Sequence, residues 1–300
     1  MESLISLGKR IYNIKNHREI HRMLVFVVRA KLHLKEIRCL YDFFQSTEER
    51  SNLINENPFP MEQVTRSFFY KGSNFSERSK LIREHYAYLE MVLADGWMKK
   101  ISVTDSPYEI WRHQGGGVNW SAKLNFNGGQ RKEGLLSITM FFNCQPLYQV
   151  IFWIAKNKRK EYSLWIGAMQ GPSGVNASEL IKETTKIAYR YRTKNLILYM
   201  SMAVARSFSV KHLYAVSNKG YYAMNHVRRD RKLKTNFGEF WTEIGGHETE
   251  DPRFYELPLI EHRKTMDEVP TRKRAVYRKR FAFQDDVDKQ IAEKMENILR

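Results

Sequence analysis

The stretch from Trp120 to Met169, WSAKLNFNGGQRKEGLLSITMFFNCQPLYQVIFWIAKNKRKEYSLWIGAM, decides the fold. Trp120, Ala122, Leu124 and Phe126 alternate with Ser121, Lys123 and Asn125, the two-residue period of a strand that buries one face. Asn127, Gly128 and Gly129 supply a turn. Leu136, Ile138 and Met140 then alternate with Ser137 and Thr139 in a second strand, and Asn143 to Pro146 turns the chain again. Leu147 to Ala155 is apolar almost throughout, as befits a central strand covered on both faces. A basic turn, Lys156 to Lys160, leads to a fourth strand, Tyr162 to Met169. Four strands joined by short turns predict an antiparallel meander.

Before this meander the period is helical. Ile20, Leu24, Val27 and Val28 share one helical face, as do Leu34, Ile37, Tyr41 and Phe44. Two prolines between Asn55 and Pro60 break the run. A further helix starts near Ser76, buries Ile82, Tyr86, Leu89 and Leu93, and ends around Gly96. After the meander, Gly171, Pro172 and Gly174 close the last strand. Asn176 with Glu179 three residues on reads as a capping box. The helix it opens runs to about Tyr189. A polar break, Arg190 to Asn195, precedes a second helix with Leu196, Met200, Ala203 and Val204 on one face. His212 to Val216 reads as a strand returning to the sheet, and Phe240 to Ile244 with Phe254 to Leu259 as a last strand pair around Gly245 and Gly246. The tail from Arg263 is basic and helical, with Val287, Ile291 and Met295 on one face. The expected fold class is therefore α+β: a helical region over 1–100, a mostly antiparallel core over 101–262 and a basic helical tail over 263–300. The order of elements in the core resembles the acetyltransferase fold of the GNAT superfamily.

Composition narrows the class. A chain of 300 residues with 42% hydrophobic and 13% aromatic residues is globular. Cys39 and Cys144, its two cysteines, are too few for a disulfide framework or a cysteine-rich zinc site, and read as small core residues in a reducing compartment. Lys9, Arg10 and Lys15 interrupt the apolar N-terminus before a signal core forms. Met23 to Val28 and Leu196 to Ala205 fall short of the ~20 residues that span a bilayer. A cytoplasmic protein without a transmembrane segment is expected. Its net charge of +17 predicts attraction to polyanions, either RNA or anionic envelope lipid.

Five strings in order carry a resemblance to the VirK/YbjX family. They are Gln170-Gly171-Pro172, Ala215-Val216-Ser217-Asn218, Phe240 to Gly246, Leu257-Pro258-Leu259 and Arg272 to Phe281. A His-Gly-Leu-Arg-Pro-Lys-like run of that family corresponds here to Tyr189-Arg190-Tyr191-Arg192-Thr193-Lys194, so no role for its histidine carries over. The resemblance implies a protein of Gram-negative bacteria that supports virulence-factor expression, envelope remodelling and resistance to cationic antimicrobial peptides. It also implies a virulence protein as partner, and it establishes no reaction or cofactor.

Residues for catalysis, for anion or cofactor binding and for polyanion binding can each be named. Gln170, Gly171 and Gly174 stand where a GNAT-like protein places its pyrophosphate loop, although Ser173 and Val175 depart from the superfamily's spacing; a ligand-free strand-to-helix turn reads the same way. Arg190, Arg192, Lys194 and Asn195 open a helix together, which suits a phosphate or the anionic part of an acyl-CoA donor. Tyr222 is placed as a general acid and Glu243 as a base, against the plainer roles of packing residue and exposed strand residue. For polyanions, Arg228, Arg229, Arg231 and Lys232 form one basic run. Arg272, Lys273, Arg274, Arg278, Lys279 and Arg280 form another around Tyr277. No metal site is expected. His17 and His21 share a face, but Arg18 stands where a zincin needs Glu. Gly115 to Gly117 precedes a strand and reads as a turn. The leading reading is a polyanion-binding accessory factor; an acyltransferase using an acyl-CoA-type donor competes with it, and a protein–protein scaffold is the third alternative.

Overall fold

Residues 2–103, 107–115, 117–225 and 236–300 are described by the computed structural model. Among these residues seven helices come first: α1 (Leu4–Ile11), α2 (His17–Leu32), α3 (Leu34–Gln45), α4 (Glu48–Glu56), α5 (Phe59–Gln63), α6 (Phe75–Val92) and α7 (Trp97–Ser102). The meander follows as β1 (Tyr108–Gly115), β2 (Val118–Asn125), β3 (Leu136–Phe142), β4 (Gln145–Lys156) and β5 (Tyr162–Gln170). Then come α8 (Ala177–Ile187), α9 (Thr193–Ser207), β6 (His212–Val216), α10 (Phe237–Glu243), β7 (His247–Glu248), β8 (Phe254–Leu257) and α11 (Arg274–Glu296). Among the described residues the strands form one eight-stranded sheet in the order β1-β2-β3-β4-β5-β6-β8-β7. Every neighbouring pair is antiparallel except β5 and β6, which run parallel because α8 and α9 carry the chain back across the sheet.

The α+β class expected from the sequence is the one observed, with several corrections. The meander has five strands, since β1 pairs with β2 through the turn at Gly117, which has φ +78°. Phe240 to Ile244 belongs to a helix: Asn236 caps α10 by accepting from the Glu239 amide, and Phe237, Phe240 and Trp241 are buried. The Trp241 indole donates to the Val216 carbonyl at 2.9 Å, fixing α10 beneath β6. Asn176 makes no side-chain cap on α8; the reciprocal capping box lies on α6, between Asn74 and Glu77. Cys39 and Cys144 are exposed, so neither is a core residue. On α2, Phe26, Val27 and Ala30 are buried while Leu24 and Val28 face solvent.

Backbone satisfaction explains how α6 is held. Pairing between β3 and β4 ends at Leu136 and Phe152, which leaves later β4 amides with no strand on that side among the described residues. The His85 Nδ1 accepts from the Ile154 amide at 3.0 Å, and Glu84 accepts from the Lys156 amide at 2.9 Å. At the far edge α11 packs on β1. The Trp111 indole donates to Asp286 at 3.2 Å, and Phe283, Val287, Ile291 and Met295 are buried. The segment after α5 stitches two distant loops together. The Phe69 amide donates to the Lys132 carbonyl and the Lys71 amide to the Gly220 carbonyl, each at 2.8 Å, while Tyr70 bridges Tyr221.

Candidate functional site

The parallel pair β5–β6 is short. Its register runs from Ser163 opposite His212 to Ile166 opposite Ala215, and β5 then continues to Gln170 while β6 stops at Val216. Beside this divergence rests the turn that precedes β3. A Cβ on Gly167 would lie 1.8 Å from the Glu133 carbonyl oxygen, so only glycine lets the turn settle on β5. The Glu133 side chain is 3% exposed. Its carboxyl accepts from the Tyr221 hydroxyl at 2.8 Å and from the Gln170 amide at 3.1 Å. Gln170 in turn exchanges two hydrogen bonds with Gln130, at 2.8 and 2.9 Å.

Burial dominates the electrostatics of this cluster. Desolvation pushes the Glu133 carboxyl up to about 7, against the hydrogen bonds from Tyr221 and Gln170 and the charge of Lys132, which favour the ionised form. Tyr221 is pushed well above an ordinary phenol by burial and by the Glu133 charge. A carboxyl that titrates near neutrality beside a phenol can take and return a proton.

Of the sequence candidates, Gln170 enters this cluster. Tyr222 lies next to it, buried, its ring edge-on to Phe68 and to Tyr221. Glu133 itself has no motif; the signal available was a lone carboxylate shortly before the alternating strand that starts at Leu136. Gly171 and Gly174 are exposed on the loop before α8, with Gly174 at φ +106°.

Glu243 stands elsewhere, at the end of α10, where it pairs with Arg192 on the surface. Lys194 lies 3.9 Å from the Phe240 ring centroid, and burial lowers its ammonium pKa. The Asn195 Oδ1 is buried without a partner among the described residues. Arg190 has φ +61° and Tyr189 +54°. Arg280 donates to both of their carbonyls, at 3.0 to 3.2 Å, and lies over the Tyr277 ring at 4.4 Å. Arg280 is thus a clamp on the α8–α9 loop. Arg274 donates to the Val269 carbonyl. Arg272, Lys273, Arg278 and Lys279 are exposed, with no ion pair among the described residues. Arg228, Arg229, Arg231 and Lys232 lie outside the described residues.

A basic cleft went unread in the sequence because its parts come from three separate segments. It has a volume of about 480 Å³ and among the described residues is lined by Arg22, Arg29, Arg66, Arg131 and Lys132 with a single carboxylate, Glu62. Glu62 is already engaged, accepting from the Tyr12 hydroxyl at 2.9 Å and pairing with Arg131 at 2.6 Å.

The fold and cluster define an α+β protein in which the one parallel strand pair among the described residues frames a buried carboxyl–tyrosine pair. Residues 15–293 match the family described as a protein of unknown function, DUF535, and the chain belongs to that family. This bears out the family resemblance read from the sequence. It is 26% identical over 231 residues to the uncharacterised protein YbjX of Escherichia coli K12, covering 74% of this chain and 68% of that one. An uncharacterised Haemophilus influenzae protein is 25% identical over 258 residues, covering 85% and 84%. A Mannheimia haemolytica protein named membrane protein LapB is 23% identical over 217 residues, covering 71% and 87%. No solved structure gives a significant match. No helix among the described residues is long and apolar enough to cross a membrane.

Proposed function

We propose that the chain is a GNAT-like acyltransferase that takes an acyl-CoA-type donor at the divergence of β5 and β6. The observation that carries this reading is the Glu133–Tyr221–Gln170 cluster at that point. In the reaction, the acceptor's proton passes through the Tyr221 hydroxyl to Glu133 as the nucleophile bonds to the acyl carbon. The carbon–sulfur bond then breaks, and the leaving thiolate takes a proton from Tyr222. Glu133 replaces Glu243 as the base, since Glu243 is exposed and paired with Arg192. Gly171, Gly174 and the α8–α9 loop would face the donor's phosphates. The family resemblance supplies the setting: cytoplasmic support of virulence-factor expression and of defence against cationic peptides. Calorimetry with acetyl-CoA and free CoA tests the donor. Saturable binding that Glu133→Gln preserves while thiol release stops supports the reading; absence of binding at millimolar concentration sinks it.

A second reading, an accessory factor that binds RNA, is favoured by the four exposed cations Arg272, Lys273, Arg278 and Lys279. An electrophoretic shift at low salt that fades steeply as salt rises, and is lost on replacing all four by Gln, would support it.

A further inference from the structure

Five of the nine large apolar side chains exposed among the described residues fall between Ile5 and Leu32. Leu24, Val28 and Leu32 are 55%, 58% and 77% exposed and recur every four residues. They form a line about 12 Å long on α2, turned away from the buried Phe26, Val27 and Ala30. Helical spacing puts exposed Arg18, Arg22 and Arg29 on one flank of this line and exposed Lys31 on the other. The sole carboxylate of α2, Glu19, falls outside that arc and pairs with Arg22.

Arg22 and Arg29 also form one wall of the basic cleft, whose cations outnumber its carboxylates five to one. Within it the Arg66 Nε is buried with no hydrogen-bond partner among the described residues, the Glu62 carboxylate oxygen being 3.8 Å away. A cleft that crowds cations and leaves a buried donor unsatisfied is built for an anion. Beside it stands an apolar line bordered by cations and free of carboxylates, the pattern of a helix lying in a membrane interface. A protein groove would have to match an apolar ridge flanked by positive charge on both sides. An anionic bilayer matches it at every position.

We propose that α2 docks on the surface of an anionic bilayer, with Leu24, Val28 and Leu32 at the headgroup–acyl boundary and a lipid phosphate seated among Arg22, Arg29 and Arg66. This is peripheral binding by one helix face and stands independently of acyl transfer.

The test is co-sedimentation of the full chain with vesicles of phosphatidylcholine alone and of phosphatidylcholine mixed with phosphatidylglycerol. The wild type sediments with the mixed vesicles only. Leu24→Asp/Val28→Asp and Arg22→Gln/Arg29→Gln each weaken that binding about tenfold. Both variants change exposed side chains, and an unaltered melting temperature confirms their folding. Arg278→Gln/Lys279→Gln binds as the wild type does, and all three variants keep the wild type's response to acetyl-CoA. Equal binding to both vesicles, or loss of binding confined to Arg278→Gln/Lys279→Gln, overturns the proposal. So does binding of inorganic pyrophosphate in the cleft without sedimentation. A wild-type dimer that Leu24→Asp/Val28→Asp converts to a monomer, with no vesicle binding, assigns the line to self-association and overturns it as well.

Discussion

The Tyr221 hydroxyl donates to the Glu133 carboxyl at 2.8 Å, joining the loop after β6 to the turn before β3 across 88 residues of sequence. Burial raises this carboxyl to about 7. Between about 4.5 and 7 the folded state therefore holds a proton that the unfolded chain has released, and stability falls as pH rises through that window. Glu133→Gln removes the titration and keeps an acceptor for Tyr221. Its stability relative to the wild type should rise with pH, by about 3 kcal/mol from pH 4 to pH 8. Urea unfolding at a series of pH values measures this, and parallel curves for the two proteins would show that Glu133 ionises normally.

His85 titrates with the opposite sign. It is wholly buried, its Nδ1 accepts from the Ile154 amide, and burial lowers its pKa to about 3. The unfolded chain takes up a proton near pH 6.5 that the folded state refuses, so stability is full above that pH and drains as pH falls toward 3. The slope is about 1.4 kcal/mol per pH unit. Gln can accept from the same amide without charging. His85→Gln should cost stability at pH 8 yet lose less than the wild type between pH 6 and pH 4. A loss as steep as the wild type's would place the acid sensitivity elsewhere.

Both groups show where sequence reading stops. The strands from Trp120 to Met169 were legible because the first two alternate regularly, Leu147 to Ala155 is a nearly unbroken apolar run and the turns between them are polar. Strand β1 was not: its register shifts between Glu109 and Trp111, which puts the adjacent Ile110 and Trp111 both in the core and erases the two-residue period. Helix α10 was misread because Phe240 to Ile244 is rich in strand formers, while its helical signal needs the Asn236 cap and Phe237 as well. Cys39 falls off the Leu34, Ile37, Tyr41 and Phe44 face, so its exposure follows from spacing, and the usual burial of cysteine misled. Glu133 sits in a polar turn. Only the distant Tyr221 and Gln170, and the turn's seat on Gly167, bury it. The basic cleft likewise draws its arginines from segments far apart in sequence.

The α8–α9 loop makes a test of strain against clamping. Tyr189 and Arg190 both hold positive φ, a region that costs a non-glycine residue about 1 kcal/mol. The Arg280 fork bonds both of their carbonyls. Arg280→Lys keeps the charge and loses the fork, so it should destabilise by about 2 kcal/mol. Arg190→Gly relieves the strain and should stabilise by up to about 1 kcal/mol. In the double variant, Arg190→Gly should recover more than it gains alone, because the unclamped loop no longer has the fork to hold its strain. Chemical denaturation of the four proteins measures the cycle, and strict additivity would mean that Arg280 does not act through this loop.

Glycines 167 and 171 lie on the same side of the divergence yet should respond differently to alanine. At Gly167 the added Cβ would meet the Glu133 carbonyl oxygen at 1.8 Å and its carbonyl carbon at 2.9 Å. Backbone cannot swing aside as a side chain can, so Gly167→Ala must lift the turn from β5. That costs about 3 kcal/mol or more and pulls Glu133 from Tyr221. At Gly171 the nearest atom is a Tyr148 ring carbon at 2.7 Å, on a half-buried side chain that can rotate away. Gly171→Ala should cost less than about 1 kcal/mol. If Glu133 owes its raised pKa to this seat, Gly167→Ala should also bring the carboxyl back toward the ordinary range. The pH dependence of its stability would then flatten between about pH 5 and pH 7, whereas Gly171→Ala would follow the wild type. A Gly167→Ala protein as stable as the wild type, with the same pH dependence, would mean that the turn before β3 does not depend on this contact.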